Sequence, residues 1–241
     1  MLIINMDIRF LKTIAKDGFY NMAMDEALFV VGIPTLRFYT FVPPAVTIGR
    51  FQKFNLSEFP PNMDVVRRLT GGRAIIHKGD LTYSVVAPLD SVLGKTAPEV
   101  YKKIGEMFQV GLNMLNIPAE LVKSKLNPDY VNKVSCFSAS ARYELQLEGK
   151  KILGSAQKVE NEKILQQGSL FVDSENENFN QLGVKQIMGK EIETEKIVFA
   201  VREAFIKSGI NIIDGELTDK EKELIDNLLP KYHNVDCNSS F

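Results

Sequence analysis

The segment from Val65 to Pro88, VVRRLTGGRAIIHKGDLTYSVVAP, constrains the fold more than any other stretch of this chain. Its second half alternates, with Leu81, Tyr83 and Val85 on one side and Thr82, Ser84 and Val86 on the other. A period of two in β-branched and aromatic residues predicts a strand. Val65-Val66 opens a second extended run, and between the two lie Arg67, Arg68, Thr70, Gly71, Gly72, Arg73 and His77. Paired glycines let the backbone take positive φ and approach a ligand with no Cβ in the way. Arginines around them supply fixed forks for a carboxylate or phosphate. The same residues also describe a hairpin turn with solvated arginines.

Composition narrows the setting. At 241 residues, 45% hydrophobic and 24% charged, the chain can bury one large core, or one core with a helical appendage. A net charge of −1 gives no electrostatic reason to expect nucleic acid or membrane as a partner. No apolar run approaches the roughly 20 residues of a membrane span. The start, MLIINMDIRFLK, lacks the pattern of a secretory signal, so a cytoplasmic protein is expected. Two cysteines, Cys136 and Cys237, argue against a disulfide framework. Each is then a small hydrophobe or a working thiol, and Cys237 reads as incidental.

Phe19 to Val31 reads as a helix with Asn21 as N-cap and Met24, Ala27, Leu28 and Val31 as its apolar face. Asp25 and Glu26 suit the helix dipole there, and core packing is the expected role of this helix. Thr35 to Phe41 and Ala45 to Phe51 read as strands broken by Pro43-Pro44. Gly49 and Arg50 close the second run. Pro98 to Asn116 is amphipathic, with Val100, Ile104, Phe108, Leu112 and Leu115 at helical spacing. Leu121 to Ser140 reads as a long polar loop containing Cys136. Tyr143 to Leu147 and Lys151 to Val159 form a hairpin around Glu148-Gly149, and Ile164 to Asp173 follows as a strand. Gly154, Ser155 and Ala156 leave space against the second hairpin strand. A helix over Glu193 to Ser208 stops at Gly209. The box Thr218-Asp219-Lys220-Glu221 opens a last helix, and the tail from Pro230 reads as loosely held.

The string RRLTGGRAIIH followed by LTYSV resembles the arginine–glycine loop of the lipoate-protein ligase and octanoyltransferase family. NMAMDEAL, PAVTIGRFQ and SCFSASARYELQLEGKKILGSAQ resemble further family segments, in the family's order. Where ATP-dependent ligases usually carry a third glycine and an acidic residue, this chain has Arg73 and Lys78, as the octanoyltransferase branch does at the first place. In that branch a cysteine just before phenylalanine forms an acyl-thioester, and a lysine lies in a K-I-x-G-S-A segment. Cys136 and Lys151 match them, 151 − 136 = 15 residues apart. One departure is Gln167 before Gly168, where many relatives carry histidine.

The resemblance implies an α+β fold, a mixed, largely antiparallel sheet flanked by helices, as in biotin and lipoate ligase catalytic domains. Composition and periodicity alone give only α+β or α/β. One catalytic domain is expected over residues 1–241, with 180–241 as its helical C-terminal part. The implied activity moves octanoate from acyl carrier protein to Cys136 and on to a lysine of a lipoyl domain of a 2-oxoacid dehydrogenase or of the glycine-cleavage H protein. Cys136 and Lys151 are the expected catalytic pair. The ammonium of Lys151 would raise the thiolate fraction of a thiol whose free pKa is about 8.5. Arg50, Arg68, Gly71, Gly72, Arg73, His77, Gly154, Ser155 and Ala156 are the expected binding residues. No metal, no cofactor and a monomer are expected. Two other readings compete: an ATP-dependent lipoate ligase, with Arg67, Arg68 and Arg73 on phosphate and carboxylate, and a non-catalytic subunit that binds lipoyl domains.

Overall fold

The computed structural model describes residues 6–11, 15–123, 143–176 and 181–234. In chain order the elements are β1 (Asp7–Leu11), β2 (Ala15–Lys16), α1 (Gly18–Val31), β3 (Thr35–Phe41), β4 (Ala45–Ile48), β5 (Asp64–Arg67), β6 (Ile75–His77), β7 (Asp80–Pro88) and α2 (Ala97–Met114). There follow β8 (Glu120–Lys123), β9 (Tyr143–Leu147), β10 (Lys150–Glu160), β11 (Lys163–Phe171), β12 (Glu175–Asn176), β13 (Gln181–Leu182), α3 (Val184–Met188), α4 (Thr194–Lys207), β14 (Asn211–Gly215) and α5 (Asp219–His233). A large sheet runs β14-β1-β3-β7-β11-β10-β9-β8, with β2 added on β3. Its β14, β1, β2 and β3 pair in parallel, and every pairing from β3 through β7 to β8 is antiparallel. This is the expected α+β class.

The sheet is buried on both faces. On one, α2 and α4 pack over Leu36, Phe38, Leu81, Tyr83 and Val85. Phe108 of α2 lies 4.6 Å from the Tyr83 ring and 6.1 Å from Phe38, distances typical of favourable aromatic pairs. On the other face α1 and α5 pack over Tyr39, Phe41, Val86 and Leu165. That two-sided burial explains why β7 and β11 are nearly all buried although their sequences alternate. A small sheet, β5-β4-β6, has its own apolar cluster of Val46, Ile48, Phe59 and Ile76.

Several local expectations change. The run from Val65 to Pro88 is no hairpin: β4 lies between β5 and β6, parallel to one and antiparallel to the other. The buried AVTI of β4 needs partners on both edges, and the arginine–glycine segment crosses over to supply the second. Asp17, not Asn21, caps α1, accepting from the Tyr20 N–H at 2.7 Å. Leu121 to Lys123 belong to strand β8 rather than to a loop. The segment at Pro230 is not loose, because α5 runs on to His233. Tyr232 is buried and its hydroxyl donates to Glu26 of α1 at 2.7 Å, while Lys231 pairs with the same carboxylate. β14 leaves no pattern in the sequence: it is a short, mostly exposed edge strand with no clean alternation.

Candidate active site

The arginine–glycine segment is built from the inside. Arg68 is buried, and each of its N–H groups has an acceptor in the chain itself. Nε donates to Gly71 O at 3.1 Å, Nη2 to Gly71 O and Arg73 O at 2.7 Å each, and Nη1 to Thr47 O and Oγ1 at 3.0 Å each. Burial, partly offset by its electrostatic interaction with Tyr39, pushes the guanidinium down to about 10, so it stays charged at neutral pH. Arg67 donates to the carbonyls of Gly49, Arg50 and Gln52. These two arginines frame the loop rather than reach outward. Arg73 is exposed and Arg50 half-buried, the Arg50 N–H donating to Thr70 O at 2.8 Å.

Glycine is required at two points here. A Cβ on Gly49 would sit 2.0 Å from Gly72 O, so the loop packs on bare backbone. Gly72 has a φ of 92°, in the left-handed region. Gly71 differs from both, since a Cβ there meets nothing within 4 Å. A trans peptide points its N–H away from its carbonyl. Because Arg68 holds Gly71 O, the Gly72 N–H is directed away from the guanidinium.

Strand β10 lies next to this loop. Gly154 pairs with Ser169, and Ala156 with Gln167, which puts Gly154 and Ala156 on the α1 side of the sheet. A Cβ on Gly72 would lie 3.8 Å from Ala156 Cβ, and one on Gly154 would lie 3.9 Å from Ile75 Cδ1. Glycine loop and small-residue strand therefore face each other closely, with one added carbon on Gly72 or Gly154 filling the distance between them. Ser155 points to the opposite face, where its Oγ is 2.9 Å from Tyr83 OH. Gln166 Nε2 donates to that phenol at 2.7 Å, and burial, partly offset by Ser155 and Gln166, raises Tyr83 to about 12. Ser155 is thus separated by the sheet from the two residues beside it. Lys151 pairs with Gln146 and ion-pairs with Glu144 at 3.2 Å, on the side away from Leu145. That side carries Gly154 and Ala156 too, and the lysine side chain is 40% exposed. Cys136 and Cys237 lie outside the described residues.

His77 is buried, stacked on Phe41 at 3.9 Å, with Nδ1 2.7 Å from Asp80 Oδ2 and Nε2 2.8 Å from Thr47 Oγ1. An ionised carboxylate only accepts, which assigns a proton to Nδ1. Arg68 donates to Thr47 Oγ1, and Thr82 donates to Asp80 and lies 2.9 Å from Ser169 Oγ. His77 therefore links the small sheet to the large one and helps hold the loop's floor.

Beneath the loop lies a second polar chain that the sequence reading passed over. Asp25 is fully buried, with four donors on its two oxygens. Arg37 Nη1 and Ser84 Oγ reach Oδ1 at 2.7 and 2.8 Å, and Tyr39 OH and Gln167 Nε2 reach Oδ2 at 2.7 Å each. Burial and then the Asp25 charge hold the Tyr39 phenol well above its ordinary value, so it remains a donor. Gln167 in turn accepts from Thr70 Oγ1 at 2.8 Å. One signal of this chain is visible in the sequence: Asn21 and Asp25, four apart, lie among Met22, Ala23, Met24 and Ala27 on a helix apolar nearly all round. Polar residues so placed need buried partners. Among the described residues no group of three His, Cys, Asp or Glu could hold a metal ion.

Residues 17–205 match the model of the lipoyl protein ligase A/B catalytic domain. A relative from Clostridioides difficile (strain 630), named Octanoyltransferase LipM, is 32% identical over 92% of this chain and 94% of its own. One of the same name from Carboxydothermus hydrogenoformans is 34% identical over 94% and 96%. Among solved structures, protein Ta0514 of T. acidophilum with bound lipoic acid superposes with a TM-score of 0.78 at 23% identity, covering 95% of this chain and 97% of that one. The chain belongs to the lipoyl protein ligase A/B catalytic domain family.

Proposed function

We propose that this protein is an acyltransferase of lipoate biosynthesis that moves an octanoyl group through a thioester on Cys136. The donor is octanoyl-acyl carrier protein, and the acceptor is a lysine of a lipoyl domain or of the glycine-cleavage H protein. The observation that carries the reading is three features on one side of the sheet. They are a glycine loop with open space at Gly71, the small residues Gly154 and Ala156 facing it, and an exposed Lys151 on the same side of the same strand. Relatives named for octanoyl transfer across nearly their whole length support the same chemistry.

In this mechanism the acyl chain lies along β10 beside Gly71, where an added Cβ would meet nothing within 4 Å. The Cys136 thiolate attacks the donor thioester carbonyl; the new C–S bond forms as the carrier's thiolate leaves and takes up a proton. The Gly72 N–H, directed away from the Arg68 guanidinium, is a donor for the carbonyl oxygen as negative charge gathers on it. The acceptor lysine then attacks as a neutral amine. Its amide bond forms, the Cys136 thiolate departs, and the amine's proton is released. Exchange of one thioester for another costs little, and formation of the amide drives the sequence. Lys151 favours the thiolate through its charge.

The ATP-dependent reading asks Arg67, Arg68 and Arg73 to hold phosphate and carboxylate, yet Arg67 and Arg68 donate to backbone carbonyls, which leaves Arg73 as the exposed one of the three. Intact-mass analysis separates the two. With octanoyl-acyl carrier protein and no nucleotide, the protein should gain about 126 Da, the octanoyl increment of covalent catalysis. An apo lipoyl domain should discharge it. Cys136→Ala should do neither and Cys237→Ala both. Transfer by Cys136→Ala with ATP and free acid would replace this reading with the ligase one.

A further inference from the structure

We propose that Gln167 is the positioning residue for the glycine loop, acting through a bridge that runs from Asp25 through Gln167 to Thr70. The proposal rests on the reading of Gly71 to Arg73 as a wall of the acyl site. Three parts of the chain meet at this bridge: α1 with Asp25, β11 with Gln167, and the loop with Thr70, which directly precedes Gly71. All three residues are buried. The Gln167 amide is engaged at both ends, donating to Asp25 Oδ2 at 2.7 Å and accepting from Thr70 Oγ1 at 2.8 Å. The carboxylate can only accept, so the amide must present Nε2 to it and Oε1 to the threonine, whose hydroxyl then donates. One end must give a hydrogen bond and the other must take one. A neutral amide does both without titrating. Thr70 also offers its carbonyl to the Arg50 N–H at 2.8 Å, so the residue tied down by Gln167 holds the near side of the loop as well. Arg68 bonds Gly71 and Arg73, three and five residues away, and so shapes the loop. Gln167, 97 residues from Thr70, fixes it against the large sheet.

Glutamic acid at this position is a graded test. Protonated, it reproduces the amide, its O–H donating to Asp25 and its C=O accepting from Thr70; ionised, it loses the donor and faces a second carboxylate. The charged and titratable groups around the position are Asp25 and Glu26 on α1, Arg37 and Tyr39 on β3, Tyr232 on α5 and Arg68 of the loop, with Ser84 on β7 and Thr70 as neutral partners. Burial and the Asp25 charge both favour the protonated form.

The experiment compares full-length wild type, Gln167→Glu, Gln167→Met, Thr70→Val and Thr70→Ser. It reads amide hydrogen exchange across residues 69–73, and octanoyl transfer, as pH rises through neutrality. Gln167→Met and Thr70→Val should speed exchange in that segment on the order of tenfold, with Thr70→Ser close to wild type. Gln167→Glu should match wild type at the acid end and Gln167→Met at the alkaline end, while wild type shows no such crossover. Should Gln167→Met fail to fold, Thr70→Val decides alone. Wild-type exchange in Thr70→Val, or Gln167→Glu exchange that already matches Gln167→Met at the acid end, overturns the proposal. Faster exchange with undiminished transfer upholds the positioning role and instead removes the loop from the acyl site.

Discussion

Gly49 and Gly71 differ in what a methyl group would do. At Gly49 it would collide with Gly72 O at 2.0 Å, so Gly49→Ala has to push the loop off β4. It should lose transfer and lower the thermal midpoint, because rigid backbone cannot yield cheaply. At Gly71 a Cβ would meet nothing within 4 Å, so Gly71→Val should keep the wild-type stability within about 0.5 kcal/mol while losing transfer, the branched side chain standing where an acyl chain would lie. Normal transfer by folded Gly71→Val would make the loop a turn and nothing more. Lys151 supports a third residue-level prediction. Its partner Glu144 offsets part of its charge at 3.2 Å. Lys151→Ala should therefore slow alkylation of Cys136 near neutral pH and move its pH midpoint upward, and Glu144→Gln should shift it the other way. Unchanged alkylation profiles in both would leave Lys151 without influence on the thiol.

At the scale of elements, what the sequence disclosed depended on how local the cause was. Thr218 with Glu221 announces the start of α5 because both halves of the capping box lie within four residues, and the structure has it there. The turn at Glu148-Gly149 was equally legible, both residues having positive φ. β14 and the persistence of α5 past Pro230 were not. Their causes are the pairing with β1 and the Glu26 contacts, about 200 residues away in sequence (204 for Asn211 with Asp7, 206 for Tyr232 with Glu26). The site divides along the same line. Glycine and arginine types gave away the loop, but the inward turn of Arg68 and the partition of Ser155 from its neighbours are set by pairing register, which no local pattern encodes. The Arg9–Glu221 clamp between β1 and α5 gives a test at this scale. Burial raises the Glu221 carboxyl, but the hydrogen bonds and charge of Arg9 and the Thr218 cap outweigh it and hold it below its ordinary 4.5. A carboxyl lowered on folding adds stability above its unfolded value and loses it as pH falls through the folded one. Wild type should thus lose stability in acid below about pH 4.5, and Glu221→Gln should lose less there while being weaker at neutral pH. Equal acid slopes for the two proteins would dismiss the clamp.

Over the whole molecule, Asp25 is where helix, sheet and loop are tied together, with Arg37 as its buried ionic partner. Removing one member of a buried pair leaves the other uncompensated, so Asp25→Ala should cost about 3–5 kcal/mol in chemical denaturation. A loss below about 1 kcal/mol would mean that Arg37 finds other acceptors. The position of β1 has a further consequence, for the order in which a ribosome delivers this chain. β1 is among the first described residues, yet it lies between β3 and β14, and β14 spans residues 211–215. Until residues 211–215 are made, then, β1 has one edge of unpaired backbone, and the α1 face awaits α5. An unpaired strand edge invites pairing with a neighbouring chain. Both edge and face stay uncovered until residues 211–233 are made, so closure of the fold waits on the segment that carries β14 and α5.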